Sequence, residues 1–98
     1  MRDVVISDVV QQIIDELEYY LVDELKLSEE AALRRSQRMR DFVSSLRMPT
    51  AYPLCRFTHW RFLDYRCAVF EKTWVFAYEV FDDGVIVRDM SHTAVLIE

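Results

Sequence analysis

Four residues in the last third of the chain have the types and spacing to do chemistry: Arg66, Glu79, Arg88 and His92. They lie in YRCAVFEKTWVFAYEVFDDGVIVRDMSH, from Tyr65 to His92, where apolar β-formers alternate and charges recur at intervals. Asp83-Gly84 between two such runs signals a hairpin, because glycine tolerates the positive φ of a tight primed turn. With those two as loop residues, Asp82 faces Val85, Phe81 faces Ile86, Val80 faces Val87 and Glu79 faces Arg88. A second turn at Lys72-Thr73 sets Phe70 opposite Val75 and Arg66 opposite Glu79. Residues directly opposite share a face, so the spacing predicts Arg66, Glu79 and Arg88 side by side across three strands.

A carboxylate held between two guanidiniums suits a base or a positioning group rather than a proton donor. His92, just past the last strong strand, is then the better acid, histidine being the side chain that titrates near neutral pH. Groups of this kind can cleave RNA without a metal. A base takes the 2′-hydroxyl proton, arginines stabilise the phosphorane-like transition state, and an acid protonates the leaving oxygen. The same charges also read as a structural cross-strand ladder, each exposed contact contributing about 0.2–1 kcal/mol. His59, among aromatics, reads as structural, Tyr65 and Tyr78 as core, and Trp60 and Trp74 as interface anchors or, for Trp74, strand core.

The elements that must position these groups follow from periodicity. Val4-Val5-Ile6 predicts a short first strand. Ser7 or Asp8 opens a helix, with Asp8 and Gln11 at capping-box spacing. Val10, Ile13, Ile14, Leu17, Leu21 and Leu25 form its buried stripe, and Asp15, Glu16, Asp23 and Glu24 lie off it. Lys26-Leu27 is the break. Ser28 then caps a second helix running to about Leu46, with Glu29 and Glu30 favoured at its positive end. Ala32, Met39, Phe42, Val43 and Leu46 are its apolar positions. The short connection makes the pair a helical hairpin. Pro49 and Pro53 bracket an irregular segment, Met48 to Leu54; Cys55 to Leu63 reads as a strand or extended lead-in, and Thr93 to Ile97 is again β-type. The pattern is α+β: strand, two helices, then an antiparallel meander of three or four strands (β-α-α-β-β-β, with a further strand optional), the hairpin covering one face and leaving the other free.

The 98 residues make one domain, 1–98. At 52% hydrophobic and 30% charged, the composition is that of a packed globular protein. No export signal or membrane-length apolar run stands in the sequence, which predicts a cytoplasmic protein, and Cys55 and Cys67 are expected as buried, reduced thiols. Acids dominate up to Leu33, after which Arg34, Arg35, Arg38, Arg40 and Arg47 face only Asp41. This basic run either contacts a phosphate backbone or an acidic partner peptide, or pairs with the acidic first helix. The net charge of −5 argues against strong non-specific nucleic-acid binding. No Gly-rich phosphate loop, HExxH, CxxC or nucleophile elbow is present, so no cofactor or metal is expected.

The order of elements, together with Tyr65-Arg66, Trp74-Val75-Phe76, Tyr78-Glu79-Val80, Val85-Ile86-Val87 and His92, resembles the RelE/ParE family of toxins from bacterial type II toxin–antitoxin modules. The resemblance implies a growth-inhibiting toxin neutralised by a cognate antitoxin protein. RelE-like members cut mRNA on the ribosome without a metal, and ParE-like members poison DNA gyrase. By position, Arg66 and Arg88 would hold the scissile phosphate, with Glu79 or His92 as acid or base. Arg34, Arg35, Arg38, Trp60 and Arg61 would contact antitoxin or target, as a homodimer or a hetero-oligomer with the antitoxin. RNA-cleaving members carry further basic residues and a terminal Tyr or His pair, whereas Thr93 to Glu98 contain no Tyr, Lys or Arg. Ribosome-dependent mRNA cleavage is thus the first expectation; a gyrase inhibitor or a catalytically inactive binding module is the alternative.

Overall fold

The computed structural model describes residues 3–46, 52–58, 60 and 62–96. Strand β1 (Asp3–Ile6) leads into helices α1 (Asp8–Asp23) and α2 (Glu29–Ser44), followed by strands β2 (Arg66–Phe70), β3 (Trp74–Val80) and β4 (Gly84–His92). This is the expected α+β order. The sheet runs β1-β4-β3-β2, and β1 lies parallel to β4 while the other pairs are antiparallel, so the sheet is mixed. Among the described residues, the β-type run after His92 does not add a strand. Thr93–Val95 form a 3-10 turn, capped by His92 Nδ1, which accepts from the Ala94 N–H at 3.0 Å.

Both helices start where a serine can cap them. Ser7 Oγ accepts from the Val10 N–H and Ser28 Oγ from the Ala31 N–H. Asp8 is therefore inside α1, and Gln11 donates to the Ile6 carbonyl instead of closing a capping box with it. Leu25 lies beyond α1 and is exposed. Lys26 makes the break by adopting φ 58°, a left-handed conformation usually left to glycine. Val10, Ile14 and Leu21 from α1, with Ala32, Ser36, Met39 and Val43 from α2, turn inward at three- and four-residue steps. Most of them pack on Ala68, Phe76, Tyr78, Val85, Val87 and Met90 of the sheet. Arg40 clamps the hairpin, reaching Asp15 at 2.7 Å and Glu18 at 3.3 Å.

Both sheet registers differ from the spacing argument. Asp82-Asp83, not Asp83-Gly84, is the β3–β4 turn: Phe81 N–H donates to Gly84 O at 2.8 Å and Gly84 N–H to Phe81 O at 3.4 Å. Neither aspartate has a positive φ. Gly84 begins β4 beside Asp3, where a Cβ would lie 2.7 Å from the Asp3 carbonyl oxygen, so close approach of β1 is what requires glycine. Val80 pairs with Val85, Glu79 with Ile86 and Tyr78 with Val87, but Ala77 pairs with Asp89, leaving Arg88 as the extra residue of a β-bulge. The β2–β3 turn is Glu71-Lys72-Thr73, with Glu71 and Lys72 at φ 49° and 63°. Arg66 therefore opposes Tyr78 rather than Glu79. A one-residue slip turns every side chain of a strand to the other face, so the expected Arg66–Glu79–Arg88 row does not form.

The second face of the sheet is not left free as expected. The segment around Trp60 folds back over part of it, and Cys55, Trp60, Cys67, Val75 and Ala77 make a second buried cluster. Of the strand or extended lead-in expected over 55–63, the described residues form no strand, and a single bridge lies just before it, between Leu54 and Arg66. Flanking that bridge, Cys55 N–H donates to Tyr65 O and Cys67 N–H to Pro53 O. This pairing along β2 brings the two cysteine Cα atoms to 5.0 Å, and they form a disulfide, in place of the two reduced thiols expected. No helix among the described residues is long and apolar enough to cross a membrane.

Candidate functional site

Glu79 and Arg88 do meet, on the face away from the helices. The bulge re-aims Arg88 so that its Nε and Nη2 reach the same Glu79 oxygen, Oε1, at 3.0 and 2.9 Å. Ile86 and Val5 continue the same row across the sheet, Val5 being exposed. Both ends of the ion pair are more than a third exposed, which holds its contribution to about 1 kcal/mol or less.

Arg66 lies on the opposite face, half-buried at the start of β2. Its Nη1 donates to the Tyr52 carbonyl at 2.6 Å, and the Tyr52 ring stands edge-on to Tyr78 with centroids 6.3 Å apart. Tyr78 is fully buried. Burial pushes its phenol up to about 12, with the Arg66 guanidinium opposing that shift and Tyr52 adding to it. Tyr78 is a core residue, as expected, and stays protonated through the neutral range. Nη1 of the Arg66 guanidinium is held by the Tyr52 carbonyl, and its charge acts on the Tyr78 phenol.

His92 sits at the far end of β4, where it pairs with Trp74, the ring centroids 5.3 Å apart and nearly perpendicular. Glu79 lies five residues along β3 from Trp74, a distance of about 17 Å at strand spacing. Because Nδ1 accepts from the Ala94 N–H, Nε2 is the proton-bearing nitrogen of the neutral ring. Trp74 also walls a cleft of about 270 Å³ between the helices and the β2–β3 turn. Leu17, Leu21, Met39 and Phe70 supply its apolar lining, Ser36, Glu71 and Thr73 its neutral and acidic groups, and Arg35 and Arg38 its cations.

The structure thus divides the four chemical candidates among three places: Glu79 with Arg88, Arg66 with Tyr52 and Tyr78, and His92 with Trp74. Of the expected contact residues, Arg34, Arg35 and Arg38 are exposed on α2. Arg38 reaches Glu71 at 3.5 Å, whereas Arg34 and Arg35 make no ion pair among the described residues. The basic run is therefore split, Arg40 pairing with α1 and its neighbours facing outward. Trp60 is not a surface anchor: it is 1% exposed and its indole N–H donates to Asp89 Oδ2 at 3.0 Å. Arg61 lies outside the described residues, as do His59 and Arg47. The cleft residues Phe70 and Thr73 and the carbonyl of Tyr52 were not singled out from the sequence, since nothing in their spacing links them to α2. No protein-family model matches this chain. No curated protein matches it as a relative.

Proposed function

We propose that this chain is a RelE/ParE-type toxin domain of a bacterial type II toxin–antitoxin module that inhibits growth by binding its target rather than by cutting RNA. The α+β element order and the motif residues from Tyr65 to His92 support the toxin reading. The choice of binding over cleavage rests on one observation, the separation of Arg66, Glu79, Arg88 and His92 over both faces and both ends of the sheet. Metal-independent cleavage needs base, acid and phosphate-holding groups within hydrogen-bond reach of one scissile phosphate. Of the four, only Glu79 and Arg88 lie within reach of each other, and they neutralise each other, so that demand is not met. DNA gyrase is the target class that the resemblance implies for a non-cleaving member, with a cognate antitoxin as the second partner. The exposed arginines of α2, Arg34, Arg35 and Arg38, are the contact surface this reading assigns.

Such a target places the working protein in the cytoplasm. Disulfides are rare in that compartment, so the Cys55–Cys67 bond, buried beside Trp60, runs against this placement. Induced expression without the antitoxin tests the function. Growth arrest with intact mRNA is expected, together with loss of supercoiling activity when purified protein is added to gyrase. Reversing Arg34, Arg35 and Arg38 to glutamate is expected to relieve both. Unimpaired growth would remove the toxin reading, and arrest with ribosome-dependent mRNA cuts that vanish in Arg88→Ala would restore cleavage in place of binding.

A further inference from the structure

We propose that the cleft between α2 and the β2–β3 turn is a docking pocket for an acidic segment of a partner protein, which inserts one large apolar side chain beside its carboxylates. Size is the first argument. At about 270 Å³ the cleft falls just below the roughly 300–1,000 Å³ of small-molecule sites, which suits a single anchoring side chain of a segment that otherwise runs over the surface. Its lining is the second. Leu17, Leu21, Met39 and Phe70 are apolar, and the half-buried Trp74 offers the kind of aromatic wall on which interface energy concentrates.

The sign of the partner follows from which polar groups are available. Ser36 Oγ donates to the Leu33 carbonyl and accepts from Arg40, and Thr73 Oγ1 donates to the Glu71 carbonyl. Both hydroxyls are committed, so recognition falls to the guanidiniums. Arg35 has no ion pair among the described residues, and Arg38 is held only by Glu71, at 3.5 Å with both side chains about half exposed or more. Lys72 adds a third positive charge on the same turn. The nearest carboxylates of the clamp, Asp15 and Glu18, are already taken by Arg40. A chain of net charge −5 thus presents a locally positive rim around an apolar hole, and that rim selects carboxylates and steers them in. An incoming carboxylate replaces Glu71 on Arg38 and pairs with Arg35.

This inference rests on the reading of the chain as a binding domain, but its test does not depend on toxicity. The probe is a blocked peptide with one central phenylalanine flanked by glutamates, titrated into the intact protein by calorimetry and by the indole N–H signals in NMR. Saturable binding is expected, with the Trp74 indole signal shifted. Replacing the phenylalanine by serine, or the glutamates by lysines, should each weaken binding about tenfold or more. The variant R35E/R38E should lose a similar factor while keeping the far-UV spectrum and Tm of the parent. Binding that ignores R35E/R38E, a single-stranded oligonucleotide that binds this cleft more tightly than the peptide, or no binding at millimolar peptide would overturn the proposal. A protein that binds the peptide but leaves growth unimpaired loses the toxin reading and keeps the pocket; a toxic protein that fails to bind loses the pocket alone.

Discussion

Arg66 donates to the Tyr52 carbonyl and lies beside the buried phenol of Tyr78, so a residue expected to hold phosphate works inside the fold. The Tyr78 phenol has a measurable consequence. Its value is raised from 10.0 to about 12, so between those limits the folded chain keeps a proton that the unfolded chain releases. The stabilisation is present in full below pH 10 and is lost as pH rises through about 12. Denaturant unfolding across that range should show the parent losing stability relative to Tyr78→Phe, which has no phenol to titrate. Parallel pH dependences would mean that the phenol is not the group responsible. For the Glu79–Arg88 pair, exposure sets the expectation: a double-mutant cycle with Glu79→Gln and Arg88→Gln should return a coupling of about 1 kcal/mol or less.

The strands show why residue types were easier to read than their arrangement. Each strand from β2 to β4 is marked by its apolar run, and each helix by its stripe and its serine cap. Register was not so marked, because it depends on turns whose chemistry gives little away. Glu71 and Lys72 adopt positive φ although neither is a residue type that favours it, and Gly84 stands next to a turn without forming it. One signal was present in the sequence: the inward apolar positions of β4 step from Val85 to Val87 and then to Met90, and a step of three in a strand of period two marks a bulge. Gly84→Ala tests the element-level account. A Cβ at 2.7 Å from the Asp3 carbonyl oxygen must push β1 away, at a cost of about 1–3 kcal/mol. Amide exchange should quicken first in Asp3–Ile6. Unchanged stability and unchanged exchange there would show that β1 does not press on Gly84.

The whole molecule is a sheet with a core on each face, the helices over one and the segment around Trp60 over part of the other. The disulfide ties that second cover to β2 across a separation of 12 residues, and closing such a loop stabilises the fold by about 3 kcal/mol. Cys55→Ala with Cys67→Ala should lose about that much under oxidising conditions, and reductant should destabilise the parent while leaving the variant unchanged. Equal sensitivity of the two to reductant would show that the staple contributes nothing. Local patterns of period 3.6 and period two determined the kind and order of β1, α1, α2, β2, β3 and β4, because each pattern is carried within a short stretch of chain. The same patterns marked residues 55–63 and 93–97 as β-type, where no strand forms among the described residues. They also marked the basic run of α2 and the burial of Tyr78. Only the tertiary structure decided which candidates share a site. The turn registers, the bulge at Arg88 and the return of the Trp60 segment set Arg66, Glu79 and His92 apart, and the same packing brought Arg35, Arg38 and Trp74 around one cleft. Faces and neighbours are set by hydrogen-bond registry between segments distant in sequence, and no residue's own type records that registry.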